Sequence, residues 1–296
     1  MPEENTTERI PEPVIAALLR WALFYIYTAA DDILAARQEW QYLISRPLTC
    51  RRVEARELLR EFVDRRRAAG RGLPERREDI GCGRSSRERD RLLGGRLNLY
   101  MLSRLVGFDV TLIYRGSVLS GLIEDAVREL GFESGGLDTP ITVSPRSGRP
   151  WKESFDFWEV ETESSNLLAA CYIVIAYLTG ARDSEVQGLE RGCHFTEPSA
   201  DGLVVRHKVR GWVVKRKNGG RMPAVWVALP EVADAIAVLE RLTEHPRLFT
   251  NRTGAAPSPG RGYPPNDQRV RRPCEHDRRA VRSAAHSSDD VRERRR

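Results

Sequence analysis

Cysteine is scarce and poorly spaced for metal: the five residues Cys50, Cys82, Cys171, Cys193 and Cys274 include no CxxC pair and no metal-ligand spacing. An odd, scattered set excludes a zinc knuckle and reads as reduced thiols, with Cys171 expected in a core. Long apolar runs are missing too. The two most apolar stretches are 14–30, interrupted by Arg20, and 167–178. The second is far shorter than the ~20 apolar residues that a membrane span requires. The opening MPEENTTERIPEP is acidic and polar, where a secretory leader needs basic and then apolar residues. No internal repeat is visible. These absences predict a soluble, cytoplasmic protein with no membrane partner.

What is present suits two domains of ordinary size in 296 residues. A hydrophobic content of 41% suffices for cores, and 30% of residues are charged. Lys and Arg number 48 against 42 Asp and Glu, a formal net charge of +6. The pI of about 9.2 suits a polyanionic partner such as nucleic acid.

The first half reads as helical. Val14, Leu18, Trp21 and Tyr25, then Ile33, Trp40 and Leu43, recur at helical spacing over 13–45, which Pro47 closes. A second helix is predicted over 53–69, with Leu58, Leu59, Phe62 and Val63 as its stripe and Gly70 as a left-handed cap. Residues 70–91 have almost nothing to bury and read as a linker. Helical signal returns over 97–106 and 118–130. Gly, Pro and Ser then crowd residues 131–152, the best domain boundary in the chain.

Beyond that boundary the pattern changes. Residues 166–178 are apolar on every side and predict a buried central helix ended by Gly180. Ser184 and Gln187 have the spacing of a capping box opening a short helix to Leu189. Three β-rich runs follow, LVVRHKV, GWVVKRK and AVWVAL, with an Asn218-Gly219-Gly220 turn between the last two. Pro230 and Glu231 open a last helix with Val232, Ile236, Leu239 and Leu242 on one face. The fold class is thus mainly α with a small antiparallel β-sheet. The division is a helical region over 1–150, a second domain over 151–250 and a tail over 251–296.

The corner LTGARDSEVQGL at 178–189 carries the functional signal. Singly, an Arg–Glu pair at i, i+3 is a surface ion pair, and lysines beside an Asn-Gly-Gly turn are a solvated hairpin tip. Together and in order, Thr179, Gly180, Arg182, Glu185 and Leu189 resemble the T-G-x-R-x-x-E-x-x-x-L motif of the tyrosine recombinase (phage integrase) family. That family carries its catalytic lysine on the following hairpin, where VVKRKNGGRMPAVWVALP offers Lys217, four residues before Arg221, with Lys215 as the alternative.

The resemblance implies attack on a DNA phosphodiester by a tyrosine hydroxyl. Arg182 would grip two phosphate oxygens through its planar fork, and Lys217 or Lys215 would protonate the leaving 5′-oxygen. Glu185 would hold the basic groups in place, and Arg216 would join Arg182, Lys215 and Lys217 in contacting DNA. The implied partner is double-stranded DNA at a recombination site, with self-association on DNA, and no metal or cofactor is required. Arg65, Arg66 and Arg67 read as a solvated charge run or as part of a helical DNA clamp. His194 and His207 receive no role.

The resemblance covers roughly 165–249. Residues 251–296 hold 12 Arg but no Leu, Ile, Phe, Trp, Met or Lys, a composition that cannot bury a helix face. His276 and Arg279 satisfy the family's H-x-x-R spacing, a match that a tail so rich in arginine also offers by chance. The one tyrosine there, Tyr263, precedes that His and is followed by Pro264 and Pro265, which exclude a helix interior. The expectation is a frameshifted or truncated end and a catalytically incomplete integrase remnant. Two alternatives stand beside it, a non-catalytic DNA-binding regulator and an unrelated helical protein.

Overall fold

A computed structural model describes residues 10–76, 95–113, 117–145, 147–157, 159–199, 202, 204–214 and 221–250. In chain order its elements are α1 (Glu12–Phe24), a π turn (Tyr25–Ala29), α2 (Ala30–Ser45), α3 (Arg52–Ala68), β1 (Leu73–Pro74), α4 (Leu99–Val106), α5 (Val118–Leu130) and β2 (Phe132–Glu133). There follow α6 (Glu159–Thr179), α7 (Asp183–Val186), β3 (His194–Pro198), β4 (Val205–Val214), β5 (Arg221–Ala228) and α8 (Pro230–Leu242). The class is mainly α with one small antiparallel sheet, as the patterning predicts.

The chain forms two compact units. Residues 10–45 and 135–250 make the first, and the described residues of 46–134 make the second. The partition differs from a helical region over 1–150 followed by a domain over 151–250, because α1 and α2 belong with α6. Ala22, Ile26, Ala29, Ile33 and Ala36 are buried along one side of the α1–α2 helix, which packs on α6. This joined helix, Glu12–Ser45, spans 34 residues and is by length and composition apolar enough to cross a membrane, although Arg20 interrupts it.

The segment read as a boundary from its Gly, Pro and Ser is tied to α2 by two carboxylates. Glu39 accepts from the amides of Asp138 and Thr139 and from the Thr139 hydroxyl. Asp32, buried, accepts from the Thr142 amide and hydroxyl and from the Trp151 indole N–H, each at 2.7 Å. A buried carboxylate is tolerable only when it is hydrogen-bonded, and these three donors reach both of its oxygens. Trp151 also packs edge-on against Phe24 and Phe155.

In the second unit, α3 packs on α4 and α5 through Ala55, Leu59 and Phe62. Leu73 pairs with Phe132 in a two-residue parallel ladder. Of the arginine row, Arg66 is buried and bonded to Glu133, Arg67 pairs with Glu129 and Asp64, and Arg65 is exposed. Gly70 takes the left-handed conformation expected of it, φ +64°. Cys50 is disulfide-bonded, against the expectation of reduced thiols throughout. Cys171 and Cys193 are free and buried, and burial pushes the Cys171 thiol up to about 12.

The sheet departs from its expected layout in two ways. His194–Pro198 is a strand that patterning did not mark, and the runs LVVRHKV and GWVVKRK merge into the single strand β4. The order is β3-β4-β5, antiparallel throughout, with His194 opposite Val209 and Gly211 opposite Ala224. Gly211 does not break the strand. A Cβ there would lie 2.9 Å from the Trp226 ring and 3.3 Å from Leu189, so the missing side chain makes room for the indole. The sheet's inner face, with Val209 and Ala228 buried, turns toward the helices.

Candidate functional site

The corner begins where α6 runs out. Thr179 donates its hydroxyl to the Ile175 carbonyl and accepts from the Ala181 amide, while Gly180 turns the chain with φ +66°. Helix α7 then starts at Asp183 with Arg182 as its cap, two residues before the Ser184 expected to play that part. An arginine side chain cannot accept a hydrogen bond, so the third residue of the turn does the capping. Glu185 Oε2 accepts from the Arg182 backbone N–H at 2.8 Å.

That contact separates the two ends of the motif. Glu185 is only 7% exposed, while the Arg182 side chain is 75% exposed, with Nη1 3.9 Å from Glu185 Oε1. A buried carboxylate fixes the backbone, and a guanidinium projects from it into solvent with most of its donors uncommitted. Val186 and Leu189 are buried and seat the turn against the unit's core. Such a pair can present a planar fork to an anion with the arm's root held in place.

Two further contacts, which sequence reasoning did not single out, hold the same turn. Tyr172 Oη donates to Asp183 Oδ1 at 2.6 Å, and Gln187 Nε2 donates to the same oxygen at 2.9 Å. The Asp183 carboxyl lies below its usual range, first because Tyr172 donates to it and then because Gln187 does. The Tyr172 hydroxyl is correspondingly raised, by that hydrogen bond first and burial second. Tyr172 sits on α6 eleven residues earlier, three helical turns, a spacing with no recognisable local signature. The chain after α8 returns to this place: Leu248 N–H donates to the Leu189 carbonyl at 3.0 Å, and Phe249 packs edge-on against Tyr172.

The remaining motif residues divide between the described chain and the rest. Lys215, Arg216 and Lys217 lie outside the described residues, in the connection that leaves β4 at Val214 and enters β5 at Arg221. Tyr263, His276 and Arg279 lie outside them as well. The structure therefore brings Arg182 and Glu185 together and fixes the two strands that carry the hairpin.

His194 and His207, assigned nothing from sequence, face one another on the sheet's inner side. Nε2 of the first is 3.0 Å from Nδ1 of the second, with the rings stacked at 17°. One proton fits between them. Burial first, and the neighbouring His207 second, hold His194 below the ordinary histidine value. Among the described residues no three His, Cys, Asp or Glu side chains gather as a metal site would require.

The fold and corner define a class only in outline, a mainly helical unit with a basic side chain presented beside a small sheet. No family model matches the chain, and no curated protein or solved structure is similar to it.

Proposed function

We propose that the chain is a DNA-binding protein of the tyrosine-recombinase kind that grips duplex phosphates without cleaving them. The observation that carries the reading is the division of labour at the corner. Glu185 is buried on the Arg182 amide, and the Arg182 guanidinium is exposed and free to fork onto a phosphate. Holding the backbone root of the side chain fixes where the guanidinium can reach, and its planar fork matches two phosphate oxygens. Support also comes from order along the chain. The corner is followed by an antiparallel sheet whose last hairpin carries Lys215, Arg216 and Lys217, and then by α8.

Cleavage is not part of the proposal. A tyrosine nucleophile must be held in line with phosphorus, since positioning supplies much of the rate. Tyr172 is committed to Asp183, and Tyr263 is followed by two prolines in a stretch with few apolar anchors.

One sample tests both halves. The full chain is mixed with a nicked half-site duplex, which traps any phosphotyrosyl product, and divided between a native and a denaturing gel. A shifted band on the native gel with no covalent adduct on the denaturing gel is expected. No shift at low salt would end the DNA-binding reading. An adduct abolished by Tyr263→Phe would show a competent enzyme.

A further inference from the structure

The outward face of the three-stranded sheet is separate from the Arg182 corner. Gly211 and Trp226 face inward, since a Cβ on Gly211 would meet the Trp226 ring and Leu189. Side chains alternate along a strand, so Arg206, Lys208, Arg210 and Trp212 of β4 all point to the other side. The register sets Val227 opposite Lys208, Val225 opposite Arg210 and Pro223 opposite Trp212. Phe195 joins them from β3, with the Arg210 guanidinium 5.0 Å above its ring.

This face is open. Trp212 is 45% exposed, and Val225 and Val227 are exposed beside it. Arg206 and Arg210 are exposed too. The composition is unusual in a specific way: flat or apolar groups and cations share one surface. Three cations stand against a single carboxylate, Glu197, which pairs with Lys208. A large aromatic left in water on a sheet costs favourable burial unless something covers it.

We propose that this face is a platform for single-stranded nucleic acid. Bases are flat, stack on aromatic rings and on guanidinium planes, and carry a phosphate each. Trp212 offers one stacking surface. The Arg210 guanidinium, already over the Phe195 ring, offers a second one, roughly 6.6 Å along the strand at about 3.3 Å per residue. Pro223 and Val225 flank these two positions with apolar surface for base and sugar. Arg206 lies four residues beyond Arg210 on the same face, past Lys208, with its charge in solvent, placed to meet a backbone phosphate. A duplex hides its base faces and would meet only the charges, leaving Trp212 and the valines uncovered. The positive balance of the face selects a polyanion over an apolar protein partner. Nothing in this inference rests on the duplex-binding reading.

The test uses the full chain, a fluorescein-labelled oligothymidylate about 12 nucleotides long and a duplex of the same length, followed by fluorescence anisotropy. Wild type should bind the oligonucleotide. Trp212→Ala should weaken that binding on the order of tenfold, with thermal unfolding and duplex affinity unchanged. Trp212→Phe should recover most of the loss, because a ring returns. Arg206→Ala should lower the salt slope by about 0.7, the value of one phosphate contact on single strands. Failure of wild type to bind the oligonucleotide, or an unchanged affinity in Trp212→Ala, would overturn the proposal. So would an equal loss of single strand and duplex in Trp212→Ala. Displacement of the oligonucleotide by polyglutamate as readily as by unlabelled oligonucleotide would also overturn it, since the face would then read charge alone. Duplex binding is scored separately, so its absence would count against the proposed function and leave this inference standing.

Discussion

Glu185 joins sequence, packing and function in one side chain. Its Oε2 holds the Arg182 amide, and its burial seats α7. Glu185→Ala should cost about 1 kcal/mol in chemical denaturation, the ordinary value of a lost cap, and should free the Arg182 backbone. Glu185→Gln retains an acceptor and should lose less. If the two variants unfold at the same denaturant concentration as wild type, the capping role fails. Gly211 makes a second residue-scale case. Gly211→Val would drive a branched side chain into the Trp226 ring and should destabilise the first unit by roughly 1–3 kcal/mol through overpacking. An unchanged unfolding midpoint would mean that the indole has room to move aside.

At the scale of elements, the His194–His207 pair links β3 to β4 through ring nitrogens 3.0 Å apart. Because His194 is held below the ordinary value near 6.5 in the folded state, the unfolded chain binds protons more readily than the folded one. The stability this group permits is therefore complete above about pH 6.5 and is lost as pH falls through that value. Melting temperature measured from pH 7.5 down to 5 should decline, and His194→Gln, which cannot titrate, should show a shallower decline. Equal slopes in both proteins would remove the pair from the account.

Elements also show how far the sequence could be read. The helices were legible because a stripe at 3.6-residue spacing survives any context, so α5 falls on the 118–130 expected of it and α3 within a residue. The first strand was not legible, because HFTEP is five residues with Glu and Pro and takes its conformation from β4. The runs LVVRHKV and GWVVKRK read as separate, yet Gly211 continues the strand between them and gives space to a tryptophan fifteen residues away. The corner's Arg182 and Glu185 were visible as a motif, whereas the Tyr172–Asp183 contact was not, since nothing local marks a side chain three helical turns earlier.

For the whole molecule the lesson lies in the α1–α2 helix. Its spacing showed a helix but not a destination, and the carboxylates that tie it to residues 138–151 look on paper like ordinary solvated acids. The first unit is thus discontinuous in sequence, with its sheet and its Arg182 corner supported by the chain's opening helices. Asp32→Asn keeps the side chain's volume but removes the charge and turns one of the two acceptor oxygens into a donor, so the charge-assisted bonds from Thr142 and Trp151 weaken. A loss of about 1–3 kcal/mol is expected, read as a lower denaturant midpoint, with no change in the midpoint contradicting the tie.

The central claim, that Arg182 presents its guanidinium fork to duplex phosphate, is tested most directly by salt titration of duplex binding for the wild-type chain and for Arg182→Ala. Affinity should fall steeply as salt rises, with log affinity linear in log salt at about −0.9 per phosphate contact. The variant should lose affinity modestly and its slope should be shallower by about 0.9, one phosphate's worth. Binding indifferent to salt, or a variant with the wild-type slope, would contradict the account.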